Sequence, residues 1–182
     1  MPKIFLVGMP ASGKTTIGAK LAKRLGYRFI DLDHYIEKKE SKTIATIFRE
    51  AGENAFRELE RLYLFQLKDE DDTVISTGGG TATFHDNMKW MNSHGFTIYL
   101  KEDLETIIQR NLENTRNRPL FSNKSEKEIK DKMYFLLENR EPLYSTAALI
   151  INKTNGNTNI NNTDNQYISE INKILQFFVD FK

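Results

Sequence analysis

No cysteine occurs among these 182 residues. Disulfides, thiolate nucleophiles and cysteine-ligated metals are therefore excluded, and a cytoplasmic location is the expectation. Proline is scarce at four residues, and tryptophan occurs once. No apolar run approaches the ~20 residues needed to span a bilayer. Met1-Pro2 lead directly into the apolar stretch that starts at Lys3, so no signal peptide is expected either. An excess of one charge is also lacking. With 26 basic and 25 acidic residues the formal net charge is +1, which gives no general attraction to nucleic acid or to a membrane. Hydrophobic residues make up 39% of the chain. That is enough for one packed domain over 1–182, and a monomer is the expectation.

The ten glycines are few but pointedly placed. Gly8-Met9-Pro10-Ala11-Ser12-Gly13-Lys14-Thr15 fits the phosphate-loop pattern G-x-x-x-x-G-K-[ST] at every fixed position. The apolar run Lys3 to Val7 precedes it and reads as a buried parallel strand. Thr16 to Leu25 follows with Ile17, Leu21 and Leu25 on one helical face, and Gly26 is a natural stop. Strand, loop and helix in this order aim backbone N–H groups and a helix N-terminus at a phosphate. The ATP contacts are expected from Ala11, Ser12, Gly13, Lys14, Thr15 and Thr16. Lys14 would reach the β/γ-phosphates and the Thr15 hydroxyl would ligate Mg²⁺. A chance match in an ordinary turn is the alternative, and both flanks speak against it.

Further strands are read at Arg28–Asp31, Thr73–Ser76, Phe96–Leu100 and Ala147–Ile151, separated by helical stretches. Alternation of this kind implies βαβ units: a three-layer α-β-α fold around a central five-stranded parallel sheet, of the phosphate-loop NTPase type. A helical insertion spans about 33–68, with Gly52 dividing it, and a polar, basic loop spans about 112–124. Residues 152–166 are rich in Asn and Thr and read as a solvated loop. A last helix near Ile168–Phe178 would bury Ile171, Leu175 and Phe178.

Ligands of an open parallel sheet sit at the carboxyl ends of its strands. The second strand ends in Asp31-Leu32-Asp33, and strand alternation would put both acids on one side. Carboxylates beside a triphosphate repel it, so they need a role. Asp31 would hold Mg²⁺ through water, and Asp33 would accept the proton of a hydroxyl attacking the γ-phosphate. The bland alternative is Asp33 as a cap of the next helix. Ser76 could hold a Mg²⁺-bound water, and Gly78-Gly79-Gly80 would leave backbone N–H groups open to a ligand. Arg57, Arg118 and Arg140 could each be solvated surface residues. In this setting their planar forks suit a carboxylate or phosphate, and the loop around Arg118 suits a lid.

These residues together resemble the shikimate kinase family. The resemblance rests on Gly8–Thr16, Phe29-Ile30-Asp31-Leu32-Asp33, Phe56-Arg57-Glu58-Leu59-Glu60, Ser76-Thr77-Gly78-Gly79-Gly80, Arg118-Pro119-Leu120 and Arg140-Glu141-Pro142-Leu143-Tyr144, in family order up to about Thr154. It implies an enzyme that uses ATP and Mg²⁺ to phosphorylate the 3-hydroxyl of shikimate. It further implies that Asp33 contacts the ring hydroxyls, that Arg57, Arg140 and the Gly79 N–H bind the substrate carboxylate, that Arg118 acts with Lys14 on the ATP phosphates from the lid, and that Arg110 covers the adenine. Asn114-Thr115-Arg116-Asn117 carries an extra basic residue, a departure from the pattern. Two other readings stand beside this one: a related small-molecule kinase such as a gluconate kinase, and a nucleotide-binding module without catalysis.

Overall fold

A computed structural model of the chain describes residues 3–113, 125–152, 169 and 171. Five strands form one sheet: β1 (Ile4–Val7), β2 (Arg28–Asp31), β3 (Thr73–Ser76), β4 (Phe96–Lys101) and β5 (Leu149–Asn152). The spatial order is β2-β3-β1-β4-β5, and every neighbouring pair is parallel. β1 is central and wholly buried, and it serves both cores by alternation. Phe5 and Val7 enter the larger cluster, Ile4 and Leu6 the smaller one.

Helix α1 (Lys14–Leu25) covers the smaller core with Ile17, Leu21 and Ala22. It begins at Gly13 and ends at Gly26, both left-handed with φ of 92° and 70°, and the Gly26 N–H donates to Ala22 O. The opposite face carries α2 (Leu32–Glu40), α3 (Ile44–Gln66), α4 (Asn87–His94), α5 (Leu104–Glu113) and α6 (Glu126–Tyr144). A capping box between Ser125 and Glu128 starts α6.

The inserted segment breaks in two places rather than at Gly52 alone. Ser41 turns left-handed after α2 (φ 52°), and the Thr43 hydroxyl accepts from Thr46 N at 3.1 Å to start α3. Gly52, at φ 83° and ψ 173°, then interrupts the helical dihedrals within α3. β5 begins two residues later than its apolar run, because Ala148 N donates to Thr97 Oγ1 at 2.9 Å before strand pairing starts. The expected lid with Arg118 lies outside the described residues, as do the Asn-rich stretch from 153 and most of the last helix. Ile171 from that helix is described, is helical and is fully buried against the smaller core.

Candidate active site

The carboxyl ends of β1, β2 and β3 meet in one crevice, as the parallel order requires. The phosphate loop leaves β1 there. Lys14 is buried, and its Nζ donates to Gly8 O at 2.8 Å, Met9 O at 2.7 Å and Ser12 Oγ at 3.4 Å. The ammonium thus lies over the cradle formed by the loop. Thr15 Oγ1 donates to Asp31 Oδ2 at 2.7 Å, joining α1 to the end of β2. Arg110 reaches the loop from α5 and donates from Nη1 to Ala11 O at 3.0 Å and to Glu102 Oε2 at 2.8 Å.

The two aspartates do not follow strand alternation. β2 stops at Asp31, whose Oδ1 accepts from Asp33 N at 3.1 Å and from His34 N at 3.3 Å. Asp31 is therefore the cap of α2, and Asp33 lies in the first turn rather than capping it. The helical turn still brings Asp33 into the crevice. Its Oδ1 is the one buried side-chain nitrogen or oxygen with no hydrogen-bond partner among the described residues. An orphaned buried acceptor is costly unless a ligand supplies a donor.

Arg57 and Glu60 come from α3 and are both buried, as is Thr81 behind β3. Arg57 Nη1 donates to Glu60, Arg57 Nη2 donates to Glu53 Oε1 at 3.0 Å, and Thr81 Oγ1 donates to Glu60 Oε1 at 2.5 Å. Arg140, on α6, is buried and donates from Nη1 to Gly79 O at 2.8 Å. Arg57 and Arg140 thus share the wall of a cavity of about 400 Å³ with Glu53, Asn54, Gly80, Thr83 and Phe84. The triple glycine leaves no room for side chains: a Cβ on Gly78 would strike the Glu60 carboxylate, and one on Gly80 the Arg57 guanidinium.

Glu60 is a site residue that motif reading quoted but gave no task. The signal was present: position 60 falls on the buried stripe of α3 between Phe56 and Leu64, where an unpaired charge is not tolerated. Its effect reaches Asp33. Burial, with the Glu60 and Asp31 carboxylates nearby, pushes the Asp33 carboxyl up to about 7, against the downward pull of Lys14 and Arg57. Burial also opposes the charge on Arg57, but Glu60 and Glu53 outweigh it and raise its pKa.

Fold and crevice together define a phosphate-loop nucleotide-binding enzyme with a second, arginine-walled cavity beside the phosphate cradle. A family model described as shikimate kinase matches residues 10–176. A shikimate kinase of Parabacteroides distasonis is 44% identical over 149 residues, covering 82% of this chain and 86% of that protein. Two solved structures are close in shape. One is a shikimate kinase from Bacteroides thetaiotaomicron, with a TM-score of 0.86, 36% identity and coverage of 96% of this chain and 98% of that one. The other is a shikimate kinase from Acinetobacter baumannii in complex with shikimate, with a TM-score of 0.85, 35% identity and coverage of 100% and 95%. The chain belongs to the shikimate kinase family. It is an enzyme, an ATP-dependent kinase that phosphorylates shikimate.

Proposed function

We propose that the γ-phosphoryl group of ATP passes to the 3-hydroxyl of shikimate in this crevice, giving shikimate 3-phosphate and ADP. Two arginines converge on one cavity beside the phosphate loop, and that convergence carries the reading. An anionic polyhydroxy acid needs a cationic grip at one end and an acceptor for its hydroxyl at the other. Arg57, Arg140 and the Gly79 N–H take the carboxylate. Asp33, with its unfilled Oδ1, takes a ring hydroxyl, orients it and accepts its proton as the oxygen attacks phosphorus. Lys14 moves from the loop carbonyls to the phosphates, where it offsets the charge developing in transfer. Ala11, Ser12, Gly13, Thr15 and Thr16 cradle the phosphates, Arg110 lies against adenine, and Arg118 completes the phosphate contacts. A monomer working in the cytoplasm completes this reading.

Mg²⁺ fits the donors that are present. Thr15 Oγ1 and Asp31 Oδ2 are hard oxygen atoms within 2.7 Å of each other, and Ser76 pairs with Asp31 across β2 and β3. Among the described residues no group of three or more His, Asp or Glu forms a metal cage. Mg²⁺ does not need one, since it keeps several waters and takes phosphate oxygens. When bound it neutralises phosphate charge. Thr15 would hold it directly and Asp31 through water. The Asp31→Asn enzyme should therefore need several-fold more Mg²⁺ for half-maximal rate, with the lost rate partly restored at high Mg²⁺. An unchanged Mg²⁺ titration would remove Asp31 from the metal site.

A gluconate kinase would also need arginines for a carboxylate. The pairing of Asp33 with the triple-glycine loop favours the cyclic substrate, and intact Lys14, Thr15, Asp33 and Arg57 weigh against a non-catalytic role. Identifying the product by ³¹P and ¹H NMR tests the regiochemistry. A single phosphoester coupled to the proton on C3 is expected, and a phosphoester at another hydroxyl would overturn the proposed pose.

A further inference from the structure

Gly79 lies where three parts of the site meet. A Cβ at this position would fall 2.7 Å from the Pro10 ring, so the triple-glycine loop rests directly on the phosphate loop. On its other side the Gly79 carbonyl accepts two hydrogen bonds, both from α6. One comes from Arg140 Nη1 at 2.8 Å and one from the Tyr144 hydroxyl. Arg140 and Tyr144 are four residues apart, hence on one helical face, and they converge on a single oxygen. The Tyr144 side chain is fully buried, and its ring packs on Tyr99 with centroids 5.2 Å apart. Burial raises its pKa to about 12, against the pull of the Arg140 guanidinium, so the hydroxyl remains a donor at neutral pH.

One donor satisfies a half-buried carbonyl, and this carbonyl has two. One of the two belongs to an arginine that the proposed pose needs elsewhere. We propose that Tyr144 is a positioning residue whose hydroxyl keeps the Gly79 carbonyl bonded, so that Arg140 can turn Nη1 from that oxygen to the carboxylate of the incoming hydroxy acid. The inference rests on the assignment of Arg140 to that carboxylate. Without the Tyr144 hydroxyl, every turn of Arg140 toward substrate would strand the Gly79 oxygen, and a half-buried acceptor left without a donor carries part of the desolvation penalty of a buried one. That penalty would fall on shikimate binding alone, because in the free enzyme Arg140 still covers the oxygen. Tyr144 also holds the loop against Pro10 while Arg140 is away.

Tyr144→Phe keeps the ring and its packing on Tyr99 and removes only the hydroxyl. Its shikimate KM should rise about tenfold, the low end of the cost of one unsatisfied acceptor, as suits a half-buried oxygen. Its ATP KM and melting temperature should stay close to the parent values. The same change in an Arg140→Ala background should add no further rise in shikimate KM, because the oxygen is then stranded with or without substrate. The double variant should instead melt lower than the two single variants predict together. If Tyr144→Phe leaves shikimate KM unchanged while Arg140→Ala raises it, Tyr144 is a packing residue only. The same conclusion follows if Tyr144→Phe raises KM by an equal factor in both backgrounds. If Arg140→Ala leaves shikimate KM unchanged, the carboxylate assignment is wrong and the proposal falls with it.

Discussion

Asp33→Asn is expected to slow turnover by ~10²–10⁴-fold, the usual worth of a general base, and yet to melt higher than the parent enzyme. Both effects come from the same buried group. The folded protein pushes the Asp33 carboxyl from 3.8 up to about 7, with burial as the first cause and Glu60 the second. A carboxyl raised on folding binds its proton more tightly in the native state. Its contribution to stability is therefore greatest at low pH and is lost as pH rises from about 4 to about 7. Across that window the loss amounts to at most about 4 kcal/mol. Asparagine cannot ionise, so the variant should melt higher by ~5 °C or more at pH 8, with a gap that narrows toward pH 4. Parallel thermal melts at several pH values check this. A gap independent of pH would show that Asp33 does not titrate in this range.

The rate should show the same titration. In the free enzyme Asp33 is protonated below about 7 and cannot accept a proton. kcat/KM for shikimate should then fall about tenfold per pH unit below that point. The split between kcat and KM in Asp33→Asn separates two roles. Asparagine can still hydrogen-bond a hydroxyl, so a base leaves shikimate KM within about tenfold while kcat drops. Phosphoryl transfer through a loose transition state needs little help from a base. If Asp33 only orients the hydroxyl, kcat should drop modestly and shikimate binding should suffer most.

Lys14→Ala is the second large effect, an expected loss of ~10²–10³-fold in kcat, typical of removing one preorganised electrostatic contact. Nζ now rests on Gly8 O, Met9 O and Ser12 Oγ, all within the loop it must serve. Removing it takes a donor from both carbonyls, although Met9 O still accepts from Ser12 N at 3.2 Å, so a small drop in melting temperature should accompany the kinetic loss. Lys14→Met keeps the apolar stem and should show the same kinetic loss, which ties the effect to charge rather than to packing. Near-normal turnover in both variants would show that the loop does no phosphoryl-transfer work.

Much of the fold was legible because short buried strands announce themselves. β2 and β3 begin and end at the residues expected of them, though only β3 is buried throughout, and Gly26 ends α1 as its position suggested. The sequence misled at the end of β2. Two acids flanking a leucine read as strand alternation, but the Asp31 side chain captures the N–H groups of Asp33 and His34 and turns the chain into α2. Ser41 and Thr43 held the signal for the earlier break in the insertion, yet Gly52 is the louder residue and drew attention from them. At the site, motifs together with the family resemblance pointed to Lys14, Asp33, Arg57, Gly79 and Arg140, and these five lie around one crevice, their roles being those proposed above. Glu60 and Tyr144 stand within the quoted motifs but were given no task, because each acts on a neighbouring side chain or carbonyl rather than on a ligand. What exposes them is a polar group on a helix face that is otherwise apolar, and a second donor aimed at an oxygen already served.

The most direct measurement is coupled ADP release with ATP, Mg²⁺ and a panel of acceptors: shikimate, gluconate and nucleoside monophosphates. Shikimate should accelerate ADP release far above basal hydrolysis, with kcat/KM at least ~10²-fold above gluconate, because a site built for one set of buried hydrogen bonds rejects partners that leave them unmade. Failure of shikimate to raise the rate above basal hydrolysis, or a preference for gluconate or a nucleotide, would contradict the account.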